Sequence, residues 1–325
     1  MTITTHRLLV FAFLPAIAGL LFPFETAARQ EWFKGNVHVH TSNSDGNTPA
    51  NEVVAWYKEH GYHFVVITDH DQRTPVSTLN DEFAVSGEFI VLAGVEVSDR
   101  VGRRPVHLNG IGIRENVLPH GGETVPAAID ANAIAIRNAG GLSILNHPNG
   151  LLRVALTAEE IAASREIRHF EICCSSYLGG SGQPSTEVIW DNLLSGGMTM
   201  YGIAADDAHS FDPYSPDPGK AWIMVRAESL SQSAILSAID IGDFYSTTGV
   251  ILADLSVTEN QMCLSLAEFD SHGYRTVFIG TDGAELAWDE TERPCYEFQP
   301  HDTYVRAKVI RSNGAIAWVQ PVTIQ

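Results

Sequence analysis

Two histidines and an aspartate lie close together in the segment KGNVHVHTSNSDGNTP, which runs from Lys34 to Pro49. His38 and His40 are two residues apart, so in a β-strand both side chains would point to the same face. The polar loop that follows would let Asp45 fold back towards them. A surface strand with two solvated histidines is the alternative interpretation, and the rest of the chain has to decide between them.

More histidines and carboxylates lie on or directly after other predicted strands, nearly all of them at or near a carboxyl end. They are Asp69, His70, Asp71, Glu96, His107, His147, Asp206, Asp207 and His209. Active sites of parallel α/β proteins collect at this edge of the sheet. Six histidines with several carboxylates would be costly to bring together without a cation, whereas metal ions make the arrangement favourable. The residues therefore predict a metal cluster, and there are too many ligands for one ion, so two or three ions are implied.

The ligand types also indicate which metals and which chemistry to expect. Imidazole and carboxylate without thiolate suit manganese, zinc or iron. Water shared by two divalent ions becomes a hydroxide nucleophile, and the ions neutralise charge in the transition state. The sequence contains neither a G-x-S-x-G segment nor a phosphate-binding P-loop. A metal-bridged hydroxide is therefore favoured over a serine or cysteine nucleophile.

Alternating apolar and amphipathic segments would position these residues between about residue 32 and residue 248. The predicted strands are NVHVH, YHFVVIT, EFIVLAGVEV, RPVHLNGIGI, LSILN, HFEICC and MTMYGIAA. The predicted helices are TPANEVVAWYKEHG with Thr48 as N-cap and Gly61 as its stop, VPAAIDANAIAIRNAGG, a helix that opens with the capping box TAEE, and STEVIWDNLLSGG. Such alternation predicts a mostly parallel sheet, either open or closed into a barrel.

The pattern changes near residue 249. Short alternating segments such as DLSVTE, TVFIG, TYVRAKVI and AIAWVQPVTI are separated by turn signals. This predicts a small antiparallel β-sandwich domain over residues 249–325.

The first residues predict export. Residues 1–28 combine Arg7, an apolar stretch from Leu8 to Phe24 and small residues at 26–28, which together are typical of a secretory signal peptide. An uncleaved membrane anchor is the alternative, since the apolar stretch has nearly the length that spans a bilayer. We expect the mature chain to be periplasmic or extracellular.

The net charge limits the possible binding partners, and the export signal bears on the state of the four cysteines. A formal net charge of −19 argues against nucleic acid or an anionic membrane as the main partner. An oxidising destination would allow a disulfide between Cys263 and Cys295, whereas Cys173 and Cys174 read as buried thiols in an apolar strand. We expect a small-molecule substrate, with no stable nucleic-acid partner and no membrane contact after signal cleavage.

Taken in order, the motifs HVH with SDG, TDHD, GVEV, VHLNGIGI, NHP and DDAH resemble the polymerase and histidinol phosphatase (PHP) superfamily. The resemblance covers roughly residues 35–248. It implies an α/β fold, a distorted (β/α)7 barrel over residues 29–248, with a two- or three-metal centre at its mouth and, most commonly, phosphoesterase activity. The C-terminal pattern resembles the secreted carbaryl-hydrolase-like branch, in which some members cleave carbamate or carboxyl esters.

The resemblance also implies a role for each motif residue. The ligand sets are His38, His40, Glu96 and Asp207 for one ion, Glu96 as a bridge with His107 and His147 for a second, and Asp45, His70 and His209 for a third. Asp206 stands where a small residue is more usual, and would either orient a ligand or donate a proton. The arginines that could reach a substrate anion are Arg73, Arg103, Arg104 and Arg153. His169 and the other histidines outside the motifs read as structural or solvated.

Three functions follow as hypotheses: a phosphoesterase acting on small phosphate esters or nucleotides, a carboxyl ester or carbamate hydrolase, and a binding protein without catalysis. The nearly complete ligand set argues against the third. Phosphoryl transfer needs charge neutralisation on several oxygens, which a set of two or three ions supplies, and this favours the first. An arginine cluster at the metals would favour phosphate, whereas an apolar cleft would favour a neutral ester.

Overall fold

The computed structural model of the protein describes residue 1 and residues 30–149, 155–174, 186–214, 217–269 and 273–324. Apart from Met1, the predicted signal peptide lies outside the described residues, as does Arg153. Within the described ranges, no helix has the length and apolar character needed to cross a membrane.

Among the described residues, the part of the chain that carries the metal motifs has nine strands and six helices. The strands are β1 (Glu31–Asn36), β2 (Phe64–Ile67), β3 (Ile90–Val101), β4 (Arg104–Ile111), β5 (Leu142–Leu145), β6 (His169–Cys174), β7 (Tyr201–Ala205), β8 (Trp222–Ala227) and β9 (Phe244–Thr247). The helices are α1 (Ala50–Glu59), α2 (Ser77–Phe83), α3 (Val125–Asn138), α4 (Ala158–Ala162), α5 (Glu187–Ser195) and α6 (Gln232–Asp240). The described chain is thus a mixed α/β fold.

The strands are hydrogen-bonded in the order β9-β8-β1-β2-β3-β4-β5-β6-β7. Strands β1 to β3 are parallel to one another and so are β5 to β7, but β4 is antiparallel to both of its neighbours. The sheet is not a closed barrel, since β7 ends the order. Beyond β1 and β7, however, the chain segments meet at a parallel bridge between Val39 and Ala208. This contact brings the segment of His38 and His40 beside that of Asp207 and His209.

Two boundaries near the first motif differ from the prediction. Strand β1 ends at Asn36, so His38 and His40 follow the strand instead of lying within it. The Val39 bridge keeps the segment extended, which is why the two side chains still share one side. Helix α1 begins after Pro49 and has no side-chain cap; the Thr48 hydroxyl donates to Asn47 instead, so the prediction of Thr48 as N-cap is wrong.

The helices predicted further along the chain are confirmed as α3, α4 and α5, and so is the capping box of α4. Thr124 caps α3 by accepting a hydrogen bond from the Ala127 N–H. In α4, Thr157 and Glu160 form both hydrogen bonds of a capping box. These helices pack against one face of the sheet and bury apolar residues such as Ile129 and Ile161.

The C-terminal strands are β10 (Leu252–Val257), β11 (Gln261–Leu266), β12 (Tyr274–Ile279), β13 (Glu285–Asp289), β14 (Cys295–Glu297), β15 (Tyr304–Arg311) and β16 (Ile316–Thr323). Four of them extend the main sheet, because β16 pairs with β9, while β10, β11 and β14 form a separate antiparallel sheet. Cys263 on β11 and Cys295 on β14 form a disulfide, as predicted. Apolar residues of both sheets pack together with Met224 and Tyr245 of β8 and β9.

Candidate metal centre

All nine predicted ligand side chains come together at one edge of the sheet. Segments after β1, β2, β5 and β7 carry six of them, the loop that precedes α1 carries Asp45, and β3 and β4 carry Glu96 and His107. Glu96 and His107 lie within the strands that were predicted to carry them, and they reach the same edge as the ligands that follow strand ends. The reason is that β3 continues past β2 as a hairpin with β4, so mid-strand residues reach the same edge.

Four of these residues form a buried inner group: His38, His40, Glu96 and Asp207. The two Nε2 atoms lie 3.1 Å apart, and each lies 3.2 Å from Glu96 Oε2 and 3.1 Å from Asp207 Oδ1. These are five of the six distances among the four atoms. A regular tetrahedron with edges of this length has its centre about 1.9 Å from each corner, close to the ~2.0 Å of zinc–nitrogen and zinc–oxygen bonds. The donor set therefore fits a divalent metal ion.

Glu96 links the inner group to a second group. Its Oε1 lies 3.0 Å from Nδ1 of His107 and 3.3 Å from Nε2 of His147, while Oε2 faces the inner group. The Asn146 amide donates to Oε1 at 2.8 Å and fixes the orientation of the carboxylate. One carboxylate thus presents an oxygen to each group.

An outer group surrounds Asp45. Its carboxylate oxygens lie 3.5 Å from His40 Nδ1, 3.4 Å from His70 Nε2 and 3.4 Å from His209 Nε2. Among the described residues, Nδ1 of His40 is a buried nitrogen without a hydrogen-bond partner. Asp45 is 55 % exposed, His209 34 % and His70 27 %, so this group faces solvent.

Asp69 holds the loop that carries Asp45. Its carboxylate is buried and accepts hydrogen bonds from the Thr41 N–H, the Ser44 hydroxyl and the Thr74 hydroxyl. A Cβ at Gly46 would lie 2.8 Å from the carbonyl carbon of His40, so only glycine lets the loop pass so closely. The loop is therefore fixed against the inner group.

The clustered charges shift the pKa values of the ligands. Burial alone would lower the pKa of His38, but Asp207, Glu171 and Glu96 outweigh it and hold this pKa well above its usual value. Burial also lowers the pKa of His40, but hydrogen bonds to Asp207 and Glu96 outweigh this effect and raise the pKa to about 9. Against the raising effect of burial, the histidines hold the pKa of Glu96 well below its ordinary range. Protons and divalent cations would therefore compete for this cluster.

Two of the predicted ligand residues have strained backbones. His147 has φ of 24° and Asp207 has φ of 52°, in the region that residues with a side chain rarely adopt. Such strain costs free energy and persists at functional sites because the surrounding contacts impose it.

Sequence reasoning missed Glu171, which is buried on β6. Its Oε1 lies 2.6 Å from Nδ1 of His38, and its Oε2 accepts the backbone N–H of His147 at 2.7 Å. The available signal was a single carboxylate in the apolar strand HFEICC, because carboxylates are almost never fully buried without partners. Cys174 was also missed as a neighbour of the site: its thiol lies 3.5 Å from Oδ2 of Asp207.

Asp206 is fully buried beside the ligand Asp207. Its carboxylate accepts hydrogen bonds from the Tyr57 hydroxyl and from the backbone N–H groups of Gly219, Lys220 and Ala221, at 2.8–3.0 Å. Burial raises the pKa of the Asp206 carboxyl group above its ordinary value, and these hydrogen bonds offset that rise only in part. The contacts favour the orienting role over proton donation, with the carboxylate fixing the segment before β8.

Two of the arginines predicted to reach a substrate, Arg73 and Arg104, are engaged with the protein. Arg73 donates from Nε to the Ile113 carbonyl at 3.2 Å. Both terminal nitrogens of Arg104 bind the carboxylate of Glu160. His169, predicted to be structural, is buried with Nε2 3.0 Å from the Ile239 carbonyl oxygen.

The sequence matches no protein-family model and no curated protein. Its fold is similar to that of a two-domain protein from Bacteroides vulgatus that contains a predicted PHP-like metal-dependent phosphoesterase, at 14 % identity over 91 % of this chain and 95 % of that one, with a TM-score of 0.49. It is also similar to a proposed metal-dependent phosphoesterase from Bifidobacterium adolescentis, at 15 % identity over 57 % of this chain and 91 % of that one, with a TM-score of 0.40. A third similar structure is an amidohydrolase from Chromobacterium violaceum with bound sulfate and no metal, at 17 % identity over 56 % and 89 % of the two chains, with a TM-score of 0.40. At this distance the function has to be inferred from the chain's own site.

Proposed function

We propose that the chain is a hydrolase of the PHP type that depends on two or three divalent ions of manganese, zinc or iron. The observation that carries the proposal is the inner group, in which two buried imidazole nitrogens lie 3.1 Å apart and each lies 3.1–3.2 Å from a carboxylate oxygen of Glu96 and of Asp207, so that three different motifs meet. Two of these atoms are carboxylate oxygens and two are imidazole nitrogens, the donor set of catalytic zinc and manganese sites. Strands β1 to β7 would correspond to the distorted barrel of that superfamily.

The layout of the site suits hydrolysis. Divalent ions held by these residues would supply an acidified water as the nucleophile and neutralise charge on the reacting group. The inner group is buried, whereas Asp45, His70 and His209 are partly exposed, so a substrate would approach from the side of the outer group. His38 and Glu96 are each held by a further side chain, Glu171 and Asn146, which keeps the ligands in place during turnover.

Among substrates, we favour small phosphate esters or nucleotides. Three adjoining groups with ligand atoms close together would accommodate up to three ions, and phosphoryl transfer uses charge neutralisation on several oxygens. A carbonyl ester develops one oxyanion and requires fewer ions. The second candidate, a carboxyl ester or carbamate hydrolase, is favoured by the engagement of Arg104 with Glu160, which turns this cation away from a substrate anion.

The test is removal and return of the metal. The full chain is stripped with a chelator, reloaded with manganese or zinc, and assayed on chromogenic phosphate and carboxylate esters. We expect more than one equivalent of metal per reloaded chain and activity only in the loaded protein. A reloaded chain that holds no metal, or a stripped chain that remains fully active, would contradict the proposal.

We also propose that the chain is exported. The N-terminal sequence with Arg7 and the apolar stretch after it supports this, as does the Cys263–Cys295 disulfide, since disulfides persist in oxidising compartments. The intact mass of the exported protein should correspond to a chain that begins near Arg29. A mass that includes residues 1–28 would contradict signal cleavage.

A further inference from the structure

Glu171 contacts two different ligand residues with its two oxygens. Oε1 lies 2.6 Å from Nδ1 of His38, a ligand of the inner group, and Oε2 accepts the backbone N–H of His147, a ligand of the second group. The Glu171 side chain has no exposed surface. Its position on β6 between these two neighbours leaves it outside both groups of ligand atoms.

The contact with His38 sets which ring nitrogen can bind a metal. A carboxylate only accepts hydrogen bonds, so Nδ1 of His38 must carry a proton and donate it to Glu171. In the neutral ring, the lone pair then lies on Nε2, which is the atom 3.1 Å from His40 Nε2 and Asp207 Oδ1 in the inner group. A carboxylate behind a ligating imidazole also raises its basicity as a ligand.

The contact with His147 holds a strained turn. The backbone of His147 has φ of 24°, and its N–H points to Glu171 Oε2 at 2.7 Å. A charged acceptor makes this hydrogen bond stronger than a neutral one. It offsets part of the cost of the strained conformation that turns the imidazole of His147 to Glu96.

We propose that Glu171 is a positioning residue that couples the inner and second groups, by fixing the tautomer of His38 and the backbone of His147 at once. The inference rests on the proposed metal binding. Replacing this carboxylate should therefore weaken metal binding in both groups, although Glu171 itself lies outside the ligand shell.

The Glu171→Gln variant tests this with almost no change in shape. Its amide has one accepting oxygen and one donating NH₂, whereas both neighbours require an acceptor. If the NH₂ faces His38, the ring proton must move to Nε2, the metal-binding atom; if it faces His147, two donors oppose each other. We expect the affinity for zinc or cobalt(II), measured against a competing chelator, to fall about 10–100-fold. The cobalt(II) absorption spectrum should change as well.

Asp99→Asn is the matched control. Asp99 is a buried carboxylate on β3 whose Oδ2 accepts hydrogen bonds from the Asn132 amide at 2.7 Å and the Gly121 N–H at 2.8 Å, while its Oδ1 accepts the Arg100 N–H at 2.7 Å. An amide NH₂ in either position would therefore face a donor, as in Glu171→Gln. We expect this variant to lower the melting temperature of the metal-free chain and to leave metal affinity and the cobalt spectrum unchanged. An equal loss of affinity in both variants, or wild-type affinity in Glu171→Gln, would overturn the inference.

A measurement on the unmutated chain covers the case in which Glu171→Gln does not fold. In the zinc-loaded protein, ¹⁵N spectra of the imidazoles should show His38 protonated at Nδ1. A His38 that binds zinc through Nδ1 would overturn the inference. A wild-type chain that binds no zinc would instead refute the proposed function, so the two failures are distinguishable.

Discussion

Glu96 reaches Nδ1 of His107 at 3.0 Å with one carboxylate oxygen, while its other oxygen lies 3.2 Å from Nε2 of His38. The two groups of ligands therefore share one buried anion. An ion bound in one group withdraws charge from the carboxylate that the other group uses. We expect the two sites to be energetically coupled, not independent.

The Glu96→Gln variant should disrupt both groups together. The amide keeps the size of the side chain but removes the shared charge, so metal content should fall by more than one equivalent and activity by at least ~100-fold. Elemental analysis after reloading measures the first and initial rates the second. His209→Ala, which removes a ligand of the outer group alone, should lose at most one equivalent. Wild-type metal content in Glu96→Gln would contradict the coupling.

Variants of predicted ligand residues should lose metal, whereas a variant of a structural histidine should keep it. His147→Ala and Asp207→Ala each remove a group at the cluster, and both should lose metal and most activity. His169→Ala removes a buried ring that packs beside the ring of Tyr201 and whose Nε2 lies 3.0 Å from the Ile239 carbonyl oxygen in α6. It should cost about 1–3 kcal/mol of stability, because that carbonyl loses its partner, and keep its metal. Equal metal loss in all three would mean that the site is wrongly located.

Stability should depend on pH through His169. Burial lowers the pKa of His169 to about 4, whereas in the unfolded chain it is about 6.5. Below about pH 6.5 His169 binds a proton in the unfolded chain but stays neutral in the folded chain. The free energy of unfolding therefore decreases as the pH drops from about 6.5 to about 4. This change amounts to about 3 kcal/mol.

His169→Ala should lack this component of the pH dependence. The measurement is chemical denaturation of the metal-free chain at pH 7 and pH 4, for the wild type and the variant, since the metal cluster then contributes equally to both. The stability advantage of the wild type should shrink as the pH is lowered. An advantage that stays constant or grows would contradict the buried neutral state of His169.

The disulfide should stabilise the C-terminal strands and have no effect on metal binding at the proposed centre. Cys263 and Cys295 are separated by 32 residues and join β11 to β14, far along the chain from every ligand. Closing a loop of this length contributes roughly 2–4 kcal/mol, mainly by restricting the unfolded chain. Cys263→Ser with Cys295→Ser should therefore lower the melting temperature. Metal content should match that of the wild type, and a loss of metal would show that the two parts are coupled.

The histidines and acids of the site could be recognised from the sequence because each stands in a short motif whose neighbours identify an element. His147, for example, follows the apolar segment LSIL, and β5 ends at Leu145. The local pattern could not show that β4 is antiparallel to β3 and β5, because strand direction depends on which strands pair. For the same reason the sequence could not show how Glu96 and His107, in the middle of their strands, reach the edge at which the parallel strands end.

Glu171 shows a second limit. Its role depends on residues 133 positions before it and 24 positions before it in the chain, which meet only through the sheet. Neither spacing nor composition carries that information. The sequence does show a single carboxylate in an otherwise apolar strand. Burying an unpartnered carboxylate is costly, so such a residue can be expected to have a polar partner in the fold.

The last prediction separates the two candidate substrates through Asp45. This residue is 55 % exposed and belongs to the outer group alone, so Asp45→Ala should alter the melting temperature little. If the outer group helps neutralise a phosphoryl group, kcat/KM for a phosphate ester should fall more than kcat/KM for a carboxylate ester with the same leaving group. His169→Ala leaves all the predicted metal ligands in place, so it should change kcat/KM for the two esters by the same factor. If the wild type has the higher kcat/KM for the carboxylate ester, and Asp45→Ala keeps that activity, the result would contradict the phosphoesterase and favour the ester or carbamate hydrolase.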